Sequence, residues 1–336
     1  MNKPPSGKSQ VPFASVRSNR HNECRFVALR FVVGAIVLFL SLVSTAGWAQ
    51  QQAMYTQYMF NGLAINPAYA GSQDALSITA LGRRQWLGFD GAPSTETFSV
   101  HSPVGNRKIA WGMLLSHDHI GVTDQYAIYG MYSYRLKLAK GTLASGLQVG
   151  VDSYRAGLSK VLVRQSGDDF FAFDDVQGML PNFGVGLYYS TRRFYTGFSL
   201  PRLLTNVYPG DNKSRARQYQ HWFFTTGYVF DINRDLKLKP NLLVKAVQGA
   251  PIEFDINANL LIKETFWVGL SYRSLASLSG LVEFQATNQF KFGYAYDYGL
   301  TELNRHHGGS HEIMLNYQLR FKKTKIVSPR YFPRYF

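Results

Sequence analysis

Cysteine is all but missing from this chain: its 336 residues include one, Cys24. A lone thiol excludes an internal disulfide framework and a thiolate metal centre. Charged residues are sparse, at 17%. Beyond residue 49 no apolar run is long enough for a spanning helix, and helix-forming stretches are scarce, which argues against an α/β domain. Nucleophile-elbow and phosphate-loop patterns are missing too.

What is present is alternation. From Ile252 to Ile262 the even positions Ile252, Phe254, Ile256, Ala258, Leu260 and Ile262 are apolar. The odd positions carry Glu253, Asp255, Asn257, Asn259 and then Lys263, with Leu261 as the exception. A period of two belongs to a strand with one apolar and one wet face. A one-residue slip would exchange the faces, and a lysine moved to the lipid side at mid-bilayer costs about 2–4 kcal/mol.

The pattern recurs near 75–85, 94–102, 108–117, 125–137, 142–154, 182–190, 193–200, 218–230, 236–247, 252–263, 265–273, 279–287, 289–298 and 311–321. That predicts an all-β fold, an outer-membrane barrel of about 14 antiparallel strands, an even number as in single-chain bacterial barrels. Short connections such as Ala139–Gly141 and Thr191–Arg192 alternate with a set that includes Leu87–Pro93, Arg155–Pro181, Pro201–Arg217 and Gly299–Ser310. Short periplasmic turns opposite longer outer loops put both chain ends in the periplasm. A soluble β-sandwich also alternates, but it rarely strings Phe290, Phe292, Tyr294, Tyr296 and Tyr298 along one strand face.

The lead reads as a removable export signal. Six basic residues between Lys3 and Arg30 precede the apolar run 31–43, and Ala46-Gly47-Trp48-Ala49 offers a small-x-small cleavage site. An uncleaved inner-membrane anchor is the competing reading; the Ser-, Thr-, Gly- and Ala-rich second half and the lack of a basic flank disfavour it. A start codon downstream of Met1 stays open. Cys24 lies upstream of the apolar run and so cannot be a lipoprotein's lipidated residue. Cleavage removes six of 36 basic and one of 21 acidic residues, leaving a formal charge of +10. That charge is dispersed over turns and polar strand faces, with no basic helix, so nucleic acid is not the expected partner and anionic lipid head groups or an acidic partner are. The 24 Phe and 21 Tyr suit aromatic girdles at both membrane boundaries.

Several side chains invite chemical readings. His117-Asp118-His119 with Asp124 offers metal ligands, but the two imidazoles converge only if the strand persists, and loop polarity is preferred. His306, His307 and His311 read as an outer loop. Asp168, Asp169, Asp174 and Asp175 around three phenylalanines lack EF-hand spacing. Glu253 and Asp255 beside Lys237, Lys239 and Lys245 read as an interior salt-bridge ladder rather than a catalytic pair. Arg83, Arg84 and Trp86 end the first strand; a structural cap and a rim contacting partners stand equally open. No catalytic, cofactor or metal residue is assigned, and no cofactor is expected.

The stretch Gln57-Tyr58-Met59-Phe60-Asn61-Gly62-Leu63-Ala64-Ile65-Asn66-Pro67-Ala68-Tyr69-Ala70-Gly71 does not alternate; Asn66-Pro67 favours a turn and Gly71 permits a reversal. It resembles the start of the PorP/SprF family of type IX secretion system membrane proteins. Arg83-Arg84-Gln85-Trp86-Leu87-Gly88-Phe89, Gly91-Ala92-Pro93-Ser94-Thr95, Asp118-His119-Ile120-Gly121, the segment from Gly308 to Leu315 and Ser328-Pro329-Arg330-Tyr331-Phe332 are similar to that family too. One departure is the repeat of Pro-Arg-Tyr-Phe at Pro333–Phe336.

The resemblance implies a non-enzymatic outer-membrane component of the type IX machine, linked to a periplasmic ring lipoprotein and associated subunits. It implies support for secretion or surface attachment of cargo with C-terminal signals, including gliding adhesins. The expected layout is a signal peptide at 1–49, an N-terminal periplasmic segment at 50–73, the barrel at 74–321 and a periplasmic tail at 322–336. Partner contacts are expected at Gln57, Tyr58, Met59, Phe60, Asn61, Asn66, Pro67, Ala68, Tyr69, Gly71, Arg83, Arg84, Trp86, Pro329, Arg330, Tyr331 and Phe332. The tail either packs into the periplasmic mouth or docks on a subunit. The alternative function is a passive channel or small-solute transporter.

Overall fold

The computed structural model describes residues 54–105, 107–160, 175–208, 217–274 and 276–319. The expected signal peptide and tail, with Pro329, Arg330, Tyr331 and Phe332, lie outside them, as do Asp168, Asp169 and Asp174.

Fourteen antiparallel strands form one closed sheet. They are β1 (Leu76–Arg84), β2 (Ser94–Val104), β3 (Ile109–Ile120), β4 (Thr123–Lys137), β5 (Thr142–Ala156), β6 (Val176–Ser190), β7 (Phe194–Leu200) and β8 (His221–Tyr228, continued by Phe230–Asp231). Then come β9 (Leu236–Val247), β10 (Glu253–Ile262), β11 (Phe266–Arg273), β12 (Ser277–Gln285), β13 (Phe290–Gly299) and β14 (Ser310–Leu319). Each strand pairs with its sequence neighbours, and β14 returns to β1 from Leu76↔Leu319 to Arg84↔His311, which removes every sheet edge. Closure is what a bilayer demands, because an unpaired backbone amide in hydrocarbon has no partner.

The two faces sort as the alternation requires. Trp111, Leu147, Val149, Phe183, Leu187, Trp222, Phe224 and Phe292 point outward and are exposed. Between them Asp152, Asn182, Lys239, Asn241, Asn257 and Asn259 point inward and are buried. The strands are longer than expected at one end. β3 runs to Ile120, β5 to Ala156, and β6 starts at Val176 instead of near 182, so the expected long loop 155–181 is partly strand. At the other end tight turns join the strands; Lys263 and Glu264 both take positive φ (50° and 56°), as a two-residue hairpin turn with right-handed twist needs. By the turn-length asymmetry this tight end faces the periplasm.

One layout expectation is overturned. Residues 54–73 do not hang below the barrel: they fill its lumen. Tyr58, Leu63, Ala68 and Tyr69 are all at most 4% exposed. Two short 3-10 turns, Gly62–Ala64 and Pro67–Tyr69, fold the segment, and Gly71 takes φ +75° where the chain turns towards β1. Met54 lies at the long-loop end and Gly71 beside Pro103 at the tight-turn end. The described chain therefore starts at the outer mouth, not the periplasmic one.

Candidate functional site

The lumen and its outer mouth hold the polar side chains that the strands turn inward. In β1, odd positions face the lumen, so Leu81 and Arg83 are buried while Arg84 lies on the outside. Arg83 is thus not a rim residue. Its Nη2 lies 2.6 Å from the Asp297 carboxylate of β13, and its Nη1 donates to Glu312 of β14 at 3.1 Å. Glu312 also accepts the main-chain amides of Thr56 (2.9 Å) and Gln57 (2.8 Å), while the Thr56 hydroxyl donates to Asp297 at 2.8 Å. One arginine and two carboxylates thereby join three strands across the β1–β14 seam and hold the start of the lumen segment. A charge-assisted cluster suits this place, since a buried carboxylate with only one partner would keep most of its desolvation cost.

Further down, Asn257 donates to the Tyr58 hydroxyl (2.8 Å) and accepts from Asn241 (2.6 Å) and Asn259 (2.9 Å). Lys239, fully buried, places its ammonium 5.6 Å from the ring centres of Phe60 and Tyr195 and 5.8 Å from that of Trp267. These three rings surround the ammonium at cation–π distance. The ladder otherwise forms in part: Lys245 meets Glu253 at 2.7 Å, but Asp255 takes Arg273 at 3.2 Å, and Lys237 reaches Asp231 at 3.2 Å.

The Asn66-Pro67 turn is seated on glycines. The Asn66 side-chain oxygen accepts from Ala68 N (2.9 Å) and its amide donates to Leu187 O (2.9 Å) on β6. A Cβ on Gly186 would stand 2.1 Å from that Asn66 oxygen, and one on Gly146 would stand 2.2 Å from Ala68 N. Only glycine lets the backbone approach this closely. Two gaps beside the segment, of about 20 and 10 Å³, are each about the size of one water.

The outer half is open. A vestibule of about 550 Å³ is lined by Met54, Arg83, Trp86, Arg202, Arg217 and His221, among others. Arg202, from the connection after β7, turns inward and meets the fully buried Asp152 at 2.9 Å. Burial opposes its charge, but the Asp152 carboxylate and the Tyr129 hydroxyl outweigh it, so the guanidinium's pKa ends above its ordinary value. At the rim Trp86 donates its amide to the Ser310 hydroxyl (3.3 Å), and Leu87 N donates to Gly309 O (2.9 Å). The first outer loop is thus tied to the last.

The structure brings His117 and His119 to one face, because β3 persists to Ile120. That face is the barrel's exterior. Arg84 meets Glu96 (2.9 Å), Glu96 meets His117 (2.8 Å), and Asp124 takes both His117 (3.1 Å) and His119 (2.9 Å). The imidazoles are spent on carboxylates in a mixed-charge cluster on the barrel's outer surface. Among the described residues no His, Cys, Asp and Glu group is arranged to hold a metal ion. Of the residues expected to contact partners, Gln57, Tyr58, Met59, Asn61, Asn66, Pro67, Ala68, Tyr69, Gly71 and Arg83 are buried, and Phe60 packs on Trp267; Arg84 and Trp86 stay accessible. Sequence reasoning missed Asp297 as a site residue, though an acid at inward parity between Tyr296 and Tyr298 was a readable signal.

Similar solved structures are outer-membrane barrels. Acinetobacter baumannii outer membrane protein Omp33 is 10% identical, with TM-score 0.43 over 75% of this chain and 100% of that one. The Ralstonia pickettii toluene transporter TbuX is 12% identical, with TM-score 0.47 over 77% and 93%. The CymD monoaromatic hydrocarbon channel is 11% identical, with TM-score 0.48 over 78% and 92%. No curated protein matches in sequence. Residues 48–317 match the family described as type IX secretion system membrane protein PorP/SprF, so this outer-membrane chain belongs to that family.

Proposed function

We propose that the protein is a non-enzymatic anchor of the type IX secretion machine, and not its conduit. The observation that carries this reading is the occupation of the lumen by residues 54–71, of which Tyr58, Leu63, Ala68 and Tyr69 are at most 4% exposed. A barrel stoppered by its own chain is suited to holding other components in place. The tight-turn face and the tail bearing Pro329, Arg330, Tyr331 and Phe332 are then offered to the ring lipoprotein and associated periplasmic subunits. The outer loops, with Arg84 and Trp86 at their base, are offered to cargo with C-terminal signals, gliding adhesins among them.

Deleting the gene tests this. The expected result is loss of a dependent cargo from the cell surface with other outer-membrane proteins retained; an unchanged surface proteome refutes it. The filled lumen also weighs against a passive channel. In planar bilayers the purified barrel should stay closed, and steady conductance without a partner would favour the channel.

A further inference from the structure

The direction in which the N-terminal segment threads the lumen has a topological consequence. Its start and finish are pinned to opposite mouths. At the start, Thr56 is held by Asp297 and Glu312. Those residues lie two positions from the long-loop ends of β13 (Gly299) and β14 (Ser310). Met54, half-buried, stands in the vestibule with loop residues Arg217, Tyr219 and His307. At the finish, Gly71 donates its amide to His101 Nδ1 (3.0 Å), and Asp74 is clamped by Arg135 (2.8 Å) and Arg107 (3.9 Å) at the tight-turn end. Residues 56–71 could reach about 50 Å if extended. That exceeds the roughly 30 Å hydrocarbon core even with two turns in the path.

We infer that the lumen segment enters from the outer side of the membrane: its first described residue, Met54, stands in the outer vestibule and is reachable from the medium. Met54 would lie in the periplasm if the segment merely preceded β1. An outer-side partner entering the vestibule meets Met54 together with the polar rim of Arg217, Tyr219 and His307. Met54 then belongs to the outer interaction surface, away from the periplasmic subunits.

Single-cysteine labelling tests this cleanly in a Cys24→Ser background, which leaves no other thiol. Met54→Cys is compared with Glu302→Cys in an outer loop and Lys140→Cys in the β4–β5 turn, using a small membrane-impermeant methanethiosulfonate on intact cells. Met54→Cys should react like Glu302→Cys, and Lys140→Cys only after permeabilisation. Reaction of Met54→Cys only after permeabilisation overturns the inference. If crowding leaves Met54→Cys unreactive in both states, an epitope inserted before Met54 decides. Antibody binding to intact cells supports the inference, and binding only after permeabilisation refutes it.

Discussion

Thr56 and Glu312, 256 residues apart, meet through a 2.9 Å bond from the threonine amide to the glutamate carboxylate. The Gln57 amide reaches the other carboxylate oxygen at 2.8 Å, and Arg83 Nη1 donates at 3.1 Å to the same oxygen as the Thr56 amide. The start of the lumen segment is thus bonded to the last strand, inside a barrel that the first and last strands close.

Removing Arg83 leaves two buried carboxylates without their cation. Arg83→Met should lower stability by about 3–5 kcal/mol, the range for breaking a buried ion cluster by deleting one partner. Arg84→Met, whose side chain is 61% exposed and bonded only at the surface to Glu96, should cost less than about 1 kcal/mol. Equilibrium denaturation of the detergent-solubilised barrel, followed by tryptophan fluorescence, measures both.

A side chain at Gly146 would drive a Cβ into Ala68 N. Gly146→Val should leave a barrel that folds but cannot seat the Asn66-Pro67 turn. Chymotrypsin should then cut after Tyr58, Phe60 or Tyr69, sites that resist it in the wild type. Equal resistance in both proteins would show that the segment is not seated against β5.

Val149 lies on the lipid face of β5 near its middle, 55% exposed. Val149→Lys should cost about 2–4 kcal/mol, the penalty for lysine at the bilayer midplane. The readout is the folded fraction in phospholipid vesicles by heat-modifiable gel mobility. No loss of folding would mean that this face does not meet hydrocarbon.

The strands were legible because lipid on one side and polar packing on the other impose a two-residue period that no local propensity overrides. The lipid-facing aromatics of β13 and the inward lysines and asparagines of β9 and β10 followed directly. Strand ends were less so: where β5 and β6 run on towards the outer mouth, the bilayer no longer enforces alternation. The placement of residues 54–73 was not legible, since it rests on complementarity between distant parts of the chain. Ala68 seats on Gly146 and Asn66 on Gly186, neither of which marks a period. For Arg83 the cap and rim readings stood equal, although its parity with Leu81, opposite to Arg84, pointed inward to the lumen. For Lys239 the inward parity was readable, while the three aromatic rings around its ammonium were not.

The account stands on the lumen being occupied by the chain's own N-terminal segment. Amide hydrogen exchange of the reconstituted barrel, resolved by mass spectrometry at Thr56 and Gln57, tests this most directly. Exchange as slow as that of the strand amides, and faster in Glu312→Gln, is the predicted result. Exchange at the rate of an unstructured peptide, unchanged by that substitution, would contradict it.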